Sequence, residues 1–142
     1  LLLKERLQDF RNRFPERRIE EEIEEDADIK GDPLLLQMMI NNLLENALKY
    51  SPKYAIVTAR LKKIKFGIEL KIIDEGLGIA DDEKLKVFNK FYRIGNEATR
   101  KTQGTGLGLS LSYDIVKAHG GEIEVATKEN EGTTFTIYLP IT

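Results

Sequence analysis

Apolar residues recur with helical spacing in residues 1–14. Leu3, Leu7, Phe10 and Phe14 are three or four positions apart, so they fall on one face of a predicted helix. The chain opens on Leu rather than Met, and no capping residue precedes the pattern. We therefore interpret residues 1–14 as the end of an upstream helix or linker, and residues 15–142 as the main domain. The alternative is a short N-terminal helix of a complete domain.

A second helix is predicted by its start signal as well as by its periodicity. Asp32 is suited to cap the first free N–H groups, and Pro33 fits the first turn of a helix. Apolar residues then follow a helical period over residues 34–50. Pro52 sets the end of the helix, because the residue before a proline disfavours helical geometry.

Strand patterns fill much of the remaining chain. Residues 17–26 are rich in acids and poor in apolar side chains, which is typical of an exposed edge strand. Residues 55–62 and 66–73 predict one hairpin, with Gly67 as a bulge, and residues 122–127 and 133–139 predict another.

Two further helices are predicted at residues 81–88 and 107–119, the second ending at Gly120-Gly121. Residues 89–105 are polar and aperiodic, and a loop of that length is usually functional or disordered. Together the elements predict an α/β two-layer sandwich, in which helices pack on one face of a mixed, mostly antiparallel sheet.

Composition narrows the classes of function. The 142 residues include 22 Lys and Arg against 24 Asp and Glu, and this near-neutral balance disfavours a nucleic-acid-coating protein. Cys is absent, which excludes disulfides, thiol catalysis and Cys-ligated metals, and a single His excludes a multi-His metal site. No apolar run approaches the roughly 18–20 residues of a membrane span.

One stripe of the helix at residues 34–50 is polar. At about 100° per residue, Asn42, Asn46, Lys49 and Tyr50 share a face, and apolar residues fill the opposite arc. Asn is a mediocre helix former, so two asparagines one turn apart indicate a site that needs amide oxygens and donors. The alternative is an ordinary solvent-exposed face.

Two glycine-rich loops accompany this stripe. One spans residues 74–79 after a strand, and the other spans residues 103–109 at a helix start. Free N–H groups and the positive end of the helix dipole make the second loop suitable for binding phosphate, although turn glycines would look the same. Neither loop has the spacing of a Walker A or Rossmann motif.

Asp74 and the long loop add candidate ligand contacts. Asp74 ends an apolar strand, where its carboxylate would either form a turn or accept from a donor such as an adenine amino group. The loop at residues 89–105 carries Lys90, Arg93, Arg100 and Lys101, and we interpret it as a basic lid over a polyanion rather than a merely solvated loop.

Taken together, these motifs resemble the catalytic, ATP-binding domain of bacterial sensor histidine kinases, which have the Bergerat ATP-binding fold. Residues 42–51 resemble the N box, residues 74–79 the first glycine box, residues 88–93 the F box and residues 104–110 the second glycine box. Residues 132–135 resemble the last box, and the resemblance runs from Asp32 to Pro140.

The resemblance implies ATP and Mg²⁺ as cofactors and assigns roles to named residues. Asn46 would hold Mg²⁺, Asp74 would accept from the adenine amino group, and Thr133 would lie behind Asp74. Asn42, Lys49 and Arg93 would serve the transfer of the γ-phosphoryl group to a histidine. The implied nucleotide contacts are Asn46, Tyr50, Asp74, Gly76, Gly78, Ile79, Tyr92, Arg100, Gln103, Gly104, Thr105, Gly106, Leu107, Gly108 and Thr133.

One position distinguishes a kinase from a hydrolase. Bergerat ATPases place a Glu one turn before the metal-binding Asn, whereas this sequence has Asn42, which is a poor general base. We therefore expect phosphotransfer with little ATPase activity. His119, the only histidine, lies at a predicted helix end, so we interpret it as structural rather than as the phosphate acceptor.

The resemblance also implies partners and a location. The expected partners are the dimerisation and histidine-phosphotransfer domain of the same kinase and the receiver domain of a response regulator. The chain itself is expected to be a cytoplasmic monomer, with its parent protein in some cases anchored in the cell membrane. Three alternatives are an ATP-binding regulatory module without phosphotransfer, an ATPase clamp of the topoisomerase or repair type, and an anti-sigma-type serine kinase.

Overall fold

The computed structural model describes residues 2–75, 107–128 and 132–140. The elements in chain order are α1 (Leu2–Arg13), β1 (Arg18–Ile23), α2 (Pro33–Tyr50), β2 (Ile56–Ile64), β3 (Gly67–Asp74), α3 (Leu107–Ala118), β4 (Glu122–Lys128) and β5 (Gly132–Pro140). The helix predicted at residues 81–88 and the loop predicted at residues 89–105 lie outside the described residues.

The five strands form one mixed sheet in the order β1-β2-β3-β5-β4. β1 pairs in parallel with β2, and the other three neighbouring pairs are antiparallel. The acidic β1 lies at an edge of the sheet, where charged side chains discourage pairing with another chain. The predicted fold class, an α/β sandwich with a mostly antiparallel sheet, is confirmed.

The core lies between the sheet and the helices. α2 contributes its predicted apolar face, on which Ile40, Leu43 and Leu44 have no solvent exposure. This helix packs against α1, α3 and β3, while α3 also packs against β4 and β5. Leu70 and Ile72 of β3 and Ile137 of β5 meet the helices from the sheet side.

α1 belongs to the same continuous core. Leu3, Leu7 and Phe10, three of the four residues in the predicted apolar stripe, are buried in a single cluster with α2 and the strands. Phe14, the fourth, follows the helix and packs on this cluster from a half-buried position. That residues 1–14 continue an upstream dimerisation element stays a prediction.

The first hairpin differs from its prediction in two details. Ile64 pairs with Gly67, so the connection is the two residues Lys65 and Phe66 rather than residues 63–65. The predicted bulge at Gly67 is wrong, because Gly67 pairs one-to-one with residues of both neighbouring strands. Glycine is required there for another reason: a Cβ would overlap the carbonyl oxygen of Leu139.

None of the helices in the described part of the chain combines the length and the apolar character needed to cross a membrane.

Candidate functional site

The helix that carries the polar stripe is fixed at its N-terminus by Asp32. The Asp32 carboxylate accepts hydrogen bonds from the backbone N–H groups of Leu34 at 3.0 Å and Leu35 at 3.1 Å. Pro33 occupies the first helical position. These bonds satisfy two donors that have no partner inside the helix, which confirms the predicted start of α2.

The predicted polar stripe is present on α2. Asn42 and Asn46 are half-buried and Lys49 is exposed, while the residues on the opposite face are buried. The Nδ2 group of Asn46 donates to the backbone carbonyl of Asn42 at 2.7 Å. This bond fixes the amide of Asn46 so that its nitrogen faces the helix, with the amide orientation assigned from the hydrogen-bond geometry.

Asp74 lies at the end of β3, next to the strand that carries Thr133. The side chain is buried, with 6% of the residue exposed, and Thr133 is buried directly opposite on β5. A carboxylate taken out of water in this way needs hydrogen-bond donors around it. Asp74 and Thr133, the two residues that the family resemblance assigns to the adenine end of the site, are thus neighbours in the sheet.

Gly132 shapes the backbone beside Asp74. Its φ is +113°, and a Cβ at this position would overlap the carbonyl oxygen of Asp74. β5 therefore begins with the one residue type that allows its backbone to approach β3 this closely.

The remaining predicted site residues fall at the edge of the described chain or beyond it. Leu107 and Gly108 lie in the first turn of α3, where backbone N–H groups have no partner within the helix. Tyr50 is the last residue of α2. Gly76, Gly78, Ile79, Tyr92, Arg93, Arg100, Gln103, Gly104, Thr105 and Gly106 lie outside the described residues.

His119 connects the two helices of the site. Its Nδ1 lies 2.8 Å from the carbonyl of Ile115, and its Nε2 accepts from the backbone N–H of Asp32 at 3.1 Å. The network is consistent with a proton on Nδ1 and a lone pair on Nε2. His119 thus joins the C-terminus of α3 to the N-terminus of α2, which agrees with the structural role predicted for it.

Sequence reasoning missed the contacts that end α2. Arg17 donates from Nη1 to the carbonyl of Leu48 at 2.9 Å and from Nη2 to the hydroxyl of Ser51 at 2.6 Å. The Ser51 hydroxyl in turn donates to the carbonyl of Ala47 at 2.6 Å. Arg17 is 31 positions from Leu48 and 34 from Ser51 in the sequence, so no local sequence pattern indicates these two bonds.

A groove of about 360 Å³ lies beside this end of the helix. Lys49 and Glu45 line it from α2, while Arg13, Phe14 and Arg17 line it from the end of α1 and the turn that follows. Three of these side chains are cationic and one is anionic, so the groove favours negative charge.

Comparisons with known proteins agree with this geometry. Residues 31–142 match the family described as "Histidine kinase-, DNA gyrase B-, and HSP90-like ATPase". The chain is 42% identical over 94 residues to the sensor histidine kinase WalK of Bacillus subtilis, which covers 65% of this chain and 15% of WalK. The chain thus spans less than two thirds of this relative's length.

Two solved structures extend the similarity to the N-terminal helix. The mycobacterial sensor histidine kinase MprB has a TM-score of 0.84 at 32% identity, covering 98% of this chain and 91% of that one. Full-length ShkA in complex with AMPPNP has a TM-score of 0.79 at 24% identity, covering 99% of this chain and 30% of ShkA. At that identity, the second likeness shows a shared fold.

Proposed function

This chain belongs to the histidine kinase-, DNA gyrase B- and HSP90-like ATPase family, and on that premise we propose that it is the catalytic domain of a sensor histidine kinase. In this proposal the domain binds Mg-ATP and transfers the γ-phosphoryl group to a histidine on a separate dimerisation domain. ATP binding is the property common to the family. The observation that carries the proposal is the buried Asp74, which lies opposite Thr133 at the end of β3.

Asp74 is suited to recognise adenine. A buried carboxylate is an acceptor with no donor of its own, so it selects a ligand that brings an N–H group. The adenine amino group is such a donor, and a base without it would not form this hydrogen bond to Asp74. Gly76, Gly78, Ile79 and Tyr92 are proposed to complete the wall of this pocket, on the basis of the resemblance of the glycine and F boxes.

Asn46 fits a magnesium ligand. Its Nδ2 is committed to the carbonyl of Asn42, so its remaining polar atom is an amide oxygen, a type of ligand that Mg²⁺ accepts. Mg²⁺ commonly uses few protein ligands and takes its other oxygens from phosphates and water. When bound, the ion would neutralise charge on the phosphates. Asn42, whose carbonyl holds the Asn46 amide, would support this side of the site.

Lys49 and the residues around the second glycine box are proposed to hold the phosphates. Phosphoryl transfer depends mainly on in-line positioning and neutralisation of negative charge. Lys49 on α2 would supply one cation. The other cations proposed from the resemblance are Arg93 and Arg100 of a lid at residues 89–105. Gln103 and the backbone of residues 104–108 would also contact the phosphates, while Tyr50 would line the nucleotide pocket.

The same site predicts little hydrolysis of ATP. Asn42 occupies the position one turn before Asn46, and an amide cannot take a proton from water as a carboxylate does. Transfer to a protein histidine is therefore favoured over attack by water. A turnover comparable to that of a dedicated ATPase would contradict this part of the proposal.

The proposed partners follow from the names of the relatives, which are sensor histidine kinases. They are a dimerisation and histidine-phosphotransfer domain of the same kinase and, for the parent protein, a response-regulator receiver domain. We propose a cytoplasmic location for the domain, with residues 1–14 as its connection to the dimerisation element and residues 15–142 as its catalytic part.

Calorimetric titration with ATP, with and without Mg²⁺, tests the nucleotide site. Asp74→Asn should weaken binding at least about tenfold, because the amide presents a donor where adenine needs an acceptor. The matched control is Asp114→Asn, on an exposed carboxylate of α3, which should bind like the unsubstituted chain.

Phosphotransfer is then measured with γ-labelled ATP and a separately supplied dimerisation domain. Acid-labile label on that domain supports the proposal. ATP binding without any transfer would point instead to a regulatory nucleotide-binding module, and no ATP binding by the unsubstituted chain would contradict the proposed site altogether.

A further inference from the structure

Arg17 links the turn after α1 to the far end of α2. Its backbone N–H donates to the carbonyl of Phe14 at 3.0 Å, which fixes it in that turn. Its guanidinium reaches the carbonyl of Leu48 and the hydroxyl of Ser51. The side chain is half-buried, and its Nε is buried with no partner among the described residues. The two terminal nitrogens of the guanidinium therefore face the end of α2.

These contacts complete the C-terminus of α2. The last carbonyls of a helix have no partner inside it, and a cation there interacts favourably with the helix dipole. Arg17 binds the Leu48 carbonyl directly, and Ser51 relays a second hydrogen bond to the carbonyl of Ala47. Bonds from a charged donor are stronger than neutral ones, so this cap holds the last turn in one position.

The turn that Arg17 holds is the one that carries Lys49. Leu48, whose carbonyl is bound, immediately precedes Lys49, and Ser51 follows two residues later. Arg17 and Lys49 also line the same groove. A shift or fraying of this turn would move Lys49, while Asp74 on β3 is held independently by its pairing with β5.

We propose that Arg17 is a positioning residue for the nucleotide site: it fixes the last turn of α2 and so holds Lys49 at the phosphate end. The inference rests on the proposed function, in which Lys49 pairs with phosphate oxygens. In the proposed site, Arg17 itself touches neither nucleotide nor metal. Its effect should therefore appear on the phosphates of the ligand and not on the adenosine.

The test compares binding of ATP with Mg²⁺ and binding of adenosine, both followed by NMR titration of backbone amides. Arg17→Ala should weaken ATP binding by about tenfold and adenosine binding by less than about twofold, since only the phosphate contact is displaced. Arg18→Ala is the matched control. Arg18 is exposed and forms a 3.5 Å surface ion pair with Glu20, so its removal should change neither affinity.

A double-mutant cycle adds a second readout. If Arg17 acts through Lys49, then Arg17→Ala should have little further effect on ATP binding once Lys49→Ala is in place. Amide hydrogen exchange at residues 47–51 should also become faster in Arg17→Ala without nucleotide. Should that variant fail to fold, Arg17→Lys keeps the charge but loses the two-point contact, and a smaller selective loss for ATP is expected.

The outcomes separate the inference from the function on which it rests. Unchanged ATP binding in Arg17→Ala, equal losses for ATP and adenosine, or additive effects with Lys49→Ala would each overturn the inference while leaving nucleotide binding intact. Failure of the unsubstituted chain to bind ATP would overturn the proposed function, and this inference with it.

Discussion

Gly132 illustrates how a single residue without a side chain can decide the shape of the site. Its positive φ makes any L side chain strained, and its closeness to the Asp74 carbonyl leaves no space for a Cβ. Gly120 has a similar φ of +75°, but the nearest atom to a Cβ there is in the Pro140 ring, 3.7 Å away. Substitutions at the two glycines therefore distinguish two effects: both introduce backbone strain, but only a substitution at Gly132 also displaces Asp74.

We predict that Gly132→Ala and Gly120→Ala both destabilise the fold, by about 1–3 kcal/mol each, because both require a left-handed backbone. Only Gly132→Ala should also weaken ATP binding, because it alone pushes on the end of β3. Urea unfolding and calorimetry measure the two effects. Equal ATP affinities in the two variants would contradict the link between Gly132 and the site.

We predict that Tyr138 makes the stability of the fold depend on alkaline pH. Burial raises the pKa of its phenol above the usual 10.0, and the nearby carboxylates of Glu124 and Glu69 raise the pKa further. A group with a raised pKa in the folded state contributes fully below its unfolded pKa and loses that contribution as pH rises through the folded pKa. Stability should therefore fall above pH 10.0.

Replacing Tyr138 with Phe removes this titration, so the variant should lose less stability than the unsubstituted chain across that alkaline range. Urea unfolding on both sides of the transition measures the difference. Tyr54→Phe, at a residue 84% exposed, is the matched control and should leave the pH profile unchanged. A profile unaltered by Tyr138→Phe would show that another group causes the alkaline loss.

At the scale of elements, the site depends on how two helix ends are joined. α2 is capped by Asp32 and carries the polar stripe, whereas α3 begins at Leu107 and ends just before His119. The bond from the Asp32 N–H to His119 Nε2 connects these helices directly. Gly31 lies against the imidazole, where a Cβ would overlap the ring.

His119→Ala should destabilise the domain by about 1–3 kcal/mol. It removes the acceptor of the Asp32 backbone N–H and one of the contacts to the carbonyl of Ile115, and it opens space between the helices. Lys117→Ala, which removes an exposed ion pair with Glu122 and a cation–π contact with Tyr113, should cost less than about 1 kcal/mol. Chemical denaturation measures both. Equal losses would show that the contacts of His119 between the helices contribute no more stability than an exposed ion pair.

Most elements could be predicted from local patterns, since caps, periodicity and alternation act over a few residues. Asp32 with Pro33 indicated the start of α2, and the strand-like run over residues 66–73 indicated β3. The position of the first hairpin turn was predicted wrongly, because Lys65 and Phe66 lack the Asn-Gly type of signal that marks two-residue turns. Gly67 was taken as a bulge because a pattern within one strand cannot show the approach of Leu139 from another.

The candidate site was predictable to the extent that its residues share an element or a motif. Asn42, Asn46 and Lys49 follow from one helix, and Thr133 opposite Asp74 was implied by the family resemblance. The supports of the site were not predictable. The hydrogen bond from Arg17 to Leu48 joins residues 31 positions apart, and the one from Asp32 to His119 joins residues 87 positions apart. Such pairings depend on the folded topology.

On the scale of the whole molecule, one hydrophobic core extends from α1 through α2 to the sheet. Leu7 and Phe10 of α1 have no solvent exposure and Leu3 has 2%, as low as the central residues of α2. The turn that follows α1 places Arg17 against the end of α2. α1 and the turn that follows it therefore help to hold α2, and hence the polar stripe, in place.

We predict that a chain of residues 15–142 is severely destabilised. Truncating one buried Leu to Ala usually costs about 2–5 kcal/mol, and whole domains are stable by only about 5–15 kcal/mol, so losing three large buried residues removes much of the total. Replacing Lys4, Gln8 and Asn12, on the exposed face of α1, by Ala is the matched control and should leave the urea midpoint nearly unchanged. Circular dichroism during urea unfolding follows both proteins. Equal midpoints for the shortened and full chains would instead make α1 an appended element, as the division at residue 15 supposes, and Arg17 would then have to hold α2 without the helix before it.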